Sequence, residues 1–165
     1  MTSGSLLTAQ DHVHLRRCVD LAREALEVGD EPFGSLIADA SGTVLFEDRN
    51  RVAGGDATRH PEFEIARWAA QNMDAAARGT AVVYTSGEHC PMCSAAHAWV
   101  GLGRIVYASS TAQLVAWRAE WCLEPGPVAP LPITVIAPGI EVAGPDLELS
   151  AEVRELHRRL HGVPG

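Results

Sequence analysis

Hydrophobic positions along the chain follow two rhythms, one helical and one alternating. Leu15, Val19, Ala22 and Leu26 recur at helical spacing, which predicts a first helix over roughly 8–28 that stops at Gly29. Two short apolar runs follow, 33–39 and 43–48, separated by Ala40-Ser41-Gly42, which is the signature of an antiparallel hairpin. Residues 49–59 turn polar and carry Gly54 and Gly55, so a loop is expected there. His60-Pro61 then opens a second helix, with Phe63, Ala66, Ala70, Met73 and Ala77 as its expected buried stripe. Proline suits a first helical turn because its missing N–H leaves nothing unpaired.

Further along, 81–85 reads as a buried strand from its β-branched and aromatic content. Residues 90–101 form a short helix with Pro91 in its first turn, and 104–108 the next strand. A helix over 111–120 is capped by Ser109, Ser110 or Thr111. A Pro/Gly-rich stretch, 124–132, leads to an expected last strand at 133–137 and a terminal helix at 149–161. The order α-β-β-α-β-α-β-α-β-α predicts an α/β protein in three layers, a five-stranded mixed sheet with helices on both faces. The first strand pair is antiparallel. More than twenty residues separate the last two strands, which fits a parallel crossover better than a hairpin. No internal repeat or domain boundary interrupts the pattern, so 1–165 is expected to be a single domain.

Composition narrows the partners. The 165 residues hold 13 Lys+Arg and 21 Asp+Glu, a formal charge of −8, and every cationic residue is arginine. A net-negative surface disfavours nucleic acid, which is gripped through basic stripes. No run approaches the roughly 18–20 apolar residues of a membrane helix, so no membrane partner is expected. Residues 1–10 lack a basic segment leading into an apolar one, so no signal peptide is expected and a cytoplasmic location is. Four cysteines, Cys18, Cys90, Cys93 and Cys122, are too few and too scattered for a disulfide framework.

The chemistry concentrates at the starts of two consecutive helices: His60-Pro61-Glu62, then Cys90-Pro91-Met92-Cys93 about thirty positions on. One imidazole and two thiolates make a three-ligand zinc set that leaves the fourth tetrahedral position open, as catalytic rather than structural sites do. Cysteines in a first helical turn are favoured as thiolates by free N–H groups and the helix dipole. Glu62, two residues past a ligand, is placed to move protons without ligating. A fourth ligand that closed the site could be His89 or His97, although His89 adjoins Cys90 and is sterically awkward. H-x-E followed by P-C-x-x-C is the established signature of the zinc deaminases.

The chain resembles the cytidine/deoxycytidylate deaminase superfamily, nearest to bacterial guanine and cytosine deaminases. Pro32-Phe33-Gly34-Ser35 is similar to that family's P-F-G-A. Asn50 with Asp56-Ala57-Thr58-Arg59-His60-Pro61-Glu62 is similar to N…D-P-T-x-H-A-E, and Ser86-Gly87-Glu88-His89-Cys90-Pro91-Met92-Cys93 to S-x-E-P-C-P-M-C. The resemblance implies a cytidine-deaminase-like fold and one Zn2+ held by His60, Cys90 and Cys93. It also implies proton transfer by Glu62, ring or carbonyl hydrogen bonding by Asn50, and packing of Phe33 on the base. The reaction implied is hydrolytic deamination of a free aminated nucleobase or related heterocycle such as a guanine-like purine, a modified base or an amino-triazine. A homodimer is implied as well, with the helix around Trp99 and Leu102 as the candidate interface.

Two departures stand out. His89 replaces the usual proline before the first cysteine. Pro61 replaces the alanine whose N–H donates to the base in similar enzymes, and losing such a donor costs on the order of 1–3 kcal/mol. A preference shifted towards modified purines or triazine-like rings is therefore expected. Trp117 and Trp121 follow the fourth strand, where related enzymes close the pocket, and are expected to contact substrate. Glu88 is expected either to meet an amino substituent or to cap the next helix. Cys18 and Cys122 read as core thiols, Trp68 and Trp99 as packing or interface residues, and Asp56 as a loop organiser. Arg154, Arg158 and Arg159 read as a solvated helical face. Two competing functions remain open: a tRNA adenosine deaminase, against which the charge stands, and a non-catalytic zinc-stabilised module, against which Glu62 stands.

Overall fold

The structure is a computed structural model that describes residues 6–165. Strands β1 (Gly34–Ala38), β2 (Val44–Arg49), β3 (Val82–Gly87), β4 (Ile105–Ser109) and β5 (Val142–Ala143) form one sheet in the order β2-β1-β3-β4-β5. β1 is antiparallel to both β2 and β3, and β3-β4-β5 run parallel. The expected mixed sheet, with its antiparallel first pair and parallel final pair, is the one observed.

Alternation along the strands divides the core into two layers. Leu36, Ala38, Tyr84, Val106 and Ala108 face one side. There they meet helix α1 (Ala9–Glu27) through Leu15, Cys18, Val19 and Ala22, and helix α7 (Leu147–Leu160) through Leu149, Val153 and Leu156. Ile37 and Val83 face the other side and meet helix α2 (Pro61–Asn72) through Ile65, Ala66 and Ala69. Helix α4 (Pro91–Trp99) packs beside α2 on that face. Helix α5 (Thr111–Glu120) follows β4, starting from a Ser110–Gln113 capping box.

Three expectations about elements are corrected. The second helix does not run on to Ala77: Met73 is extended, and Asp74 caps a separate helix α3 (Ala75–Thr80) by accepting from the Ala77 amide. Its buried stripe is therefore Glu62, Ile65, Ala66 and Ala69, with Ala70 and Ala77 exposed. The run at 133–137 is no strand but a single helical turn, α6 (Ile133–Ile136). Its first amide donates to a Glu88 carboxylate oxygen (2.9 Å), while Ile133 packs on Ile105 and Ala137 beside the sheet. The last strand is the two-residue β5, too short to show a period. Cys122 is exposed, at a positive φ of 55° after α5, whereas Cys18 is buried as expected.

Gly34 fixes how closely α1 approaches β1. A Cβ there would lie 2.7 Å from the Ala22 nitrogen and closer still to the Cys18 carbonyl and Leu21 Cβ, so only glycine fits. We expect Gly34→Ala to lose on the order of 2–4 kcal/mol in urea denaturation, because backbone cannot yield as a side-chain tip can. Gly79→Ala, with open space around it inside α3, serves as the control and should be neutral or slightly stabilising.

Candidate active site

Because β1 runs opposite to β2, β3 and β4, one end of the sheet collects the start of β1 and the ends of β2, β3 and β4. Phe33, Asn50, Glu88–Cys90 and Thr111 all fall at that end. Helices α2 and α4 start there too, built alike: His60 and Cys90 are their N-cap residues and each is followed by proline at the first helical position.

His60 Nδ1 lies 3.6 Å from Cys90 Sγ and 3.6 Å from Cys93 Sγ. These three ligand atoms are the one His/Cys/Cys group of this kind among the described residues, all within 4.8 Å of one another. The spacing suits zinc: bonds of about 2.3 Å to sulfur and 2.0–2.1 Å to nitrogen at a tetrahedral angle set N and S about 3.6 Å apart. The thiols and imidazole also polarise each other. Hydrogen bonding from Cys93 pulls Cys90 down to about 4, and the Cys90 thiolate raises His60 to about 9. Cys93 is driven strongly up by Cys90 and by burial. Neither candidate fourth ligand joins them. His97 Nε2 bonds the Gly103 carbonyl (2.7 Å), and both ring nitrogens of His89 lack a partner while its ring sits edge-on to His97.

Glu62 is 5% exposed and lies behind this group, its Oε2 3.8 Å from Cys93 Sγ. Burial raises its carboxyl pKa, and the His60 charge opposes that rise. Its other oxygen, Oε1, is approached by the Thr85 hydroxyl (2.9 Å) and the Ser35 hydroxyl (3.2 Å), which are themselves 2.9 Å apart. Both hydroxyls are fully buried. They lie on the same sheet face as Ile37 and Val83, so the polar patch is the continuation of the α2 packing layer.

A cavity of about 180 Å³ opens over these groups, lined by Phe33, His60, Glu62, Glu88, Cys90 and Leu114 among others. Phe33 forms one wall, its ring held edge-on by His157 (5.0 Å between centroids) and backed by Gly87, where a Cβ would come within 3.1 Å of it. Asn50 is fully buried beside this wall in the chain: its backbone amide donates to the Phe33 carbonyl, and its Oδ1 accepts from the amides of Glu31 and Val52. Its Nδ2 is left as a buried donor without a partner. Pro61 is buried at the start of α2 and offers no N–H.

Glu88 lines the cavity, but its carboxylate is fully engaged: one oxygen accepts from the Thr111 amide (2.7 Å) and the other from the Ile133 amide (2.9 Å). It ties the first turns of α5 and α6 to the end of β3 and does not cap α4. Trp117 and Trp121 do not reach the cavity. Trp117 packs in the α1/α7 layer near His157, and Trp121 faces His161 and the Arg154 guanidinium. The side of α5 that meets the site carries Thr111, Leu114, Val115 and Arg118 at helical spacing, a stripe legible in the sequence. Ser35 and Thr85 were not singled out from the sequence either. The substitution of serine for alanine in the P-F-G-A segment was the available signal for Ser35.

An open-sided His/Cys/Cys donor set with a buried carboxylate behind it and a flat aromatic wall in front defines a zinc-dependent aminohydrolase. The family described as the cytidine and deoxycytidylate deaminase zinc-binding region matches residues 8–109, and the chain belongs to that family. It is 32% identical over 113 residues to a protein described as a probable cytosine deaminase from Schizosaccharomyces pombe, covering 68% of each chain. It is 35% identical over 97 residues to the guanine deaminase of Bacillus subtilis, covering 58% of this chain and 62% of that one. The fold superimposes on the guanine deaminase from Nitrosomonas europaea with a TM-score of 0.72, 23% identity and coverage of 98% and 89%. The enzyme's cofactor is one Zn2+.

Replacing Glu88 tests whether it acts on structure or on substrate. Glu88→Ala leaves two helix-start amides without their acceptor and should cost about 2 kcal/mol or more in thermal or urea unfolding. Glu88→Gln, which keeps an acceptor for one amide, should recover roughly half of that loss.

Proposed function

We propose that residues 1–165 act as a single deaminase domain that hydrolyses the amino group of a free aminated nucleobase or related N-heterocycle, releasing ammonia. The observation that carries this reading is Glu62: a carboxylate raised by burial and held on one oxygen by two hydroxyls, beside a donor set with an open side. A structural zinc site has no use for it.

His60, Cys90 and Cys93 hold the metal in this reading. When bound, Zn2+ acts as a Lewis acid that brings the pKa of water towards ~7 and so supplies a nucleophile at neutral pH. Glu62 Oε2, the oxygen not held by Ser35 and Thr85, takes the proton from that water and returns it to the departing amine. The ring carbon gains the water oxygen as C=O and loses its C–NH2 bond; one water hydrogen leaves with the amine as ammonia and the other ends on the neighbouring ring nitrogen. Phe33 supplies the flat wall against which the ring packs, and the Asn50 Nδ2 donor meets a ring nitrogen or carbonyl. Pro61 withholds one backbone donor from the base, which supports a preference shifted to modified purines or triazines. Uncharged heterocyclic amines suit the small cavity, and the acidic surface supports a small substrate over RNA. Among the described residues no helix is long and apolar enough to cross a membrane. Trp99, 86% exposed at the end of α4, supports pairing of two copies as a homodimer through that helix.

Ammonia release from the purified zinc-loaded protein should be measured against guanine, cytosine, isocytosine, adenine, their nucleosides, amino-triazines, alkylated guanines and a tRNA anticodon stem. Turnover of one or more free bases is expected. Glu62→Ala should lower kcat by at least ~100-fold while retaining one zinc per chain by mass spectrometry. Turnover of the RNA alone would move the assignment to tRNA editing, and silence across the panel with zinc in place would overturn catalysis. Thr85→Val and Ser35→Ala should each lower kcat with little change in KM and unchanged zinc content, since they orient Glu62 without facing the cavity.

A further inference from the structure

A larger cavity adjoins the small one over Glu62. A chamber of about 620 Å³ lies between α5, the 123–130 loop and the end of α7. Phe33, Thr111, Leu114, Val128, Ala129 and Pro130 line both spaces, so the two adjoin across these residues. The inner space, about 180 Å³, is below the usual range for ligand pockets of roughly 300–1,000 Å³, whereas the outer one falls within it. A bare base seated over Glu62 would leave the outer walls, which include Val115, Leu123 and Leu160, in water.

The electrical character of the outer chamber decides what it suits. Arg118 and Glu31 both line it, one charge of each sign, and the Arg118 guanidinium is already spent in part on the Glu124 carbonyl (2.7 Å). Both histidines on the α7 side are shifted towards their neutral forms. Burial takes His157 down to about 3, and burial together with Arg118 lowers His161. No net charge faces the space, so nothing in it recommends a phosphate. Apolar walls with balanced rim charges suit an uncharged group.

Resting on the deaminase reading above, we infer that this chamber is the subsite for an uncharged, largely apolar substituent on the heterocyclic amine. Substituted bases carrying an aryl or branched alkyl group are then better substrates than the bare rings. The inner space binds the ring to be deaminated, and the outer chamber sets which substituted rings are accepted.

The experiment compares guanine and cytosine with their benzyl positional isomers and their nucleoside 5′-monophosphates, reading kcat/KM for each. At least one benzyl isomer should exceed its parent by about tenfold, mostly through KM, as burial of a ring-sized apolar surface allows. Ala119→Trp, which fills the chamber from its exposed side, and Val115→Asp, which charges its wall, should each bring the benzyl-to-parent ratio close to one. Turnover of a parent base with no benzyl isomer ahead of it overturns this inference and leaves the deaminase reading standing. A lead taken by the monophosphates overturns it in favour of an anion subsite. A ratio that neither variant moves overturns it too, and absence of turnover with every amine, parents included, removes both readings together.

Discussion

Two thiols, each 3.6 Å from one imidazole nitrogen at the starts of two helices, cannot all keep their ordinary charges. Their closeness pulls the Cys90 thiol down, pushes the Cys93 thiol up and raises the His60 imidazole. A divalent cation resolves that conflict by stabilising both thiolates and a neutral imidazole at once. The rest of the architecture serves to bring those three groups together. Opposed strand directions gather the loops at one end of the sheet, prolines start both helices immediately after the ligands, and a glycine at 34 lets α1 seat tightly behind them.

Much of this was legible in the sequence because its determinants are local. Helical spacing, hairpin turns and a crossover of more than twenty residues give the order and sense of the strands, and β4 and α5 fall within a residue of where the pattern puts them. What was not legible depends on distant partners. The apolar run at 133–137 has the composition of a strand, yet a carboxylate from residue 88 captures its first amide and it closes as a helical turn. The true edge strand is two residues long and has no pattern of its own. At 73–74, an aspartate cap ends one helix and begins another without interrupting the apolar rhythm.

The site divides the same way. Its ligands and Glu62 sit within short motifs, so chain spacing alone proposes them. Residues that shape the cavity from elsewhere are harder to find. Trp117 and Trp121 are large and follow the fourth strand, but on α5 they fall outside the stripe of Thr111, Leu114, Val115 and Arg118 that meets the site. On a helix, phase and not residue size decides which side chains reach the site. Glu88 adjoins the ligand motif, and its position gave no hint that both carboxylate oxygens are committed to helix starts 23 and 45 residues away.

Thr85 and Ser35 have one further property. Thr85 Oγ1 lies 2.9 Å from Glu62 Oε1 and 2.8 Å from the Gly87 carbonyl, and a hydroxyl has a single hydrogen to give. When Glu62 is ionised, the threonine and serine hydroxyls can both turn their hydrogens towards it. Once Glu62 carries a proton on Oε2, Oε1 is a neutral carbonyl oxygen that the serine can still serve, and the threonine can swing its own hydrogen to the glycine carbonyl. No heavy atom has to move between the two arrangements. The interior beneath the carboxylate is thus a reversible hydrogen-bond rotor, able to follow the carboxyl group as it gains and loses a proton while the heavy atoms around it stay in place.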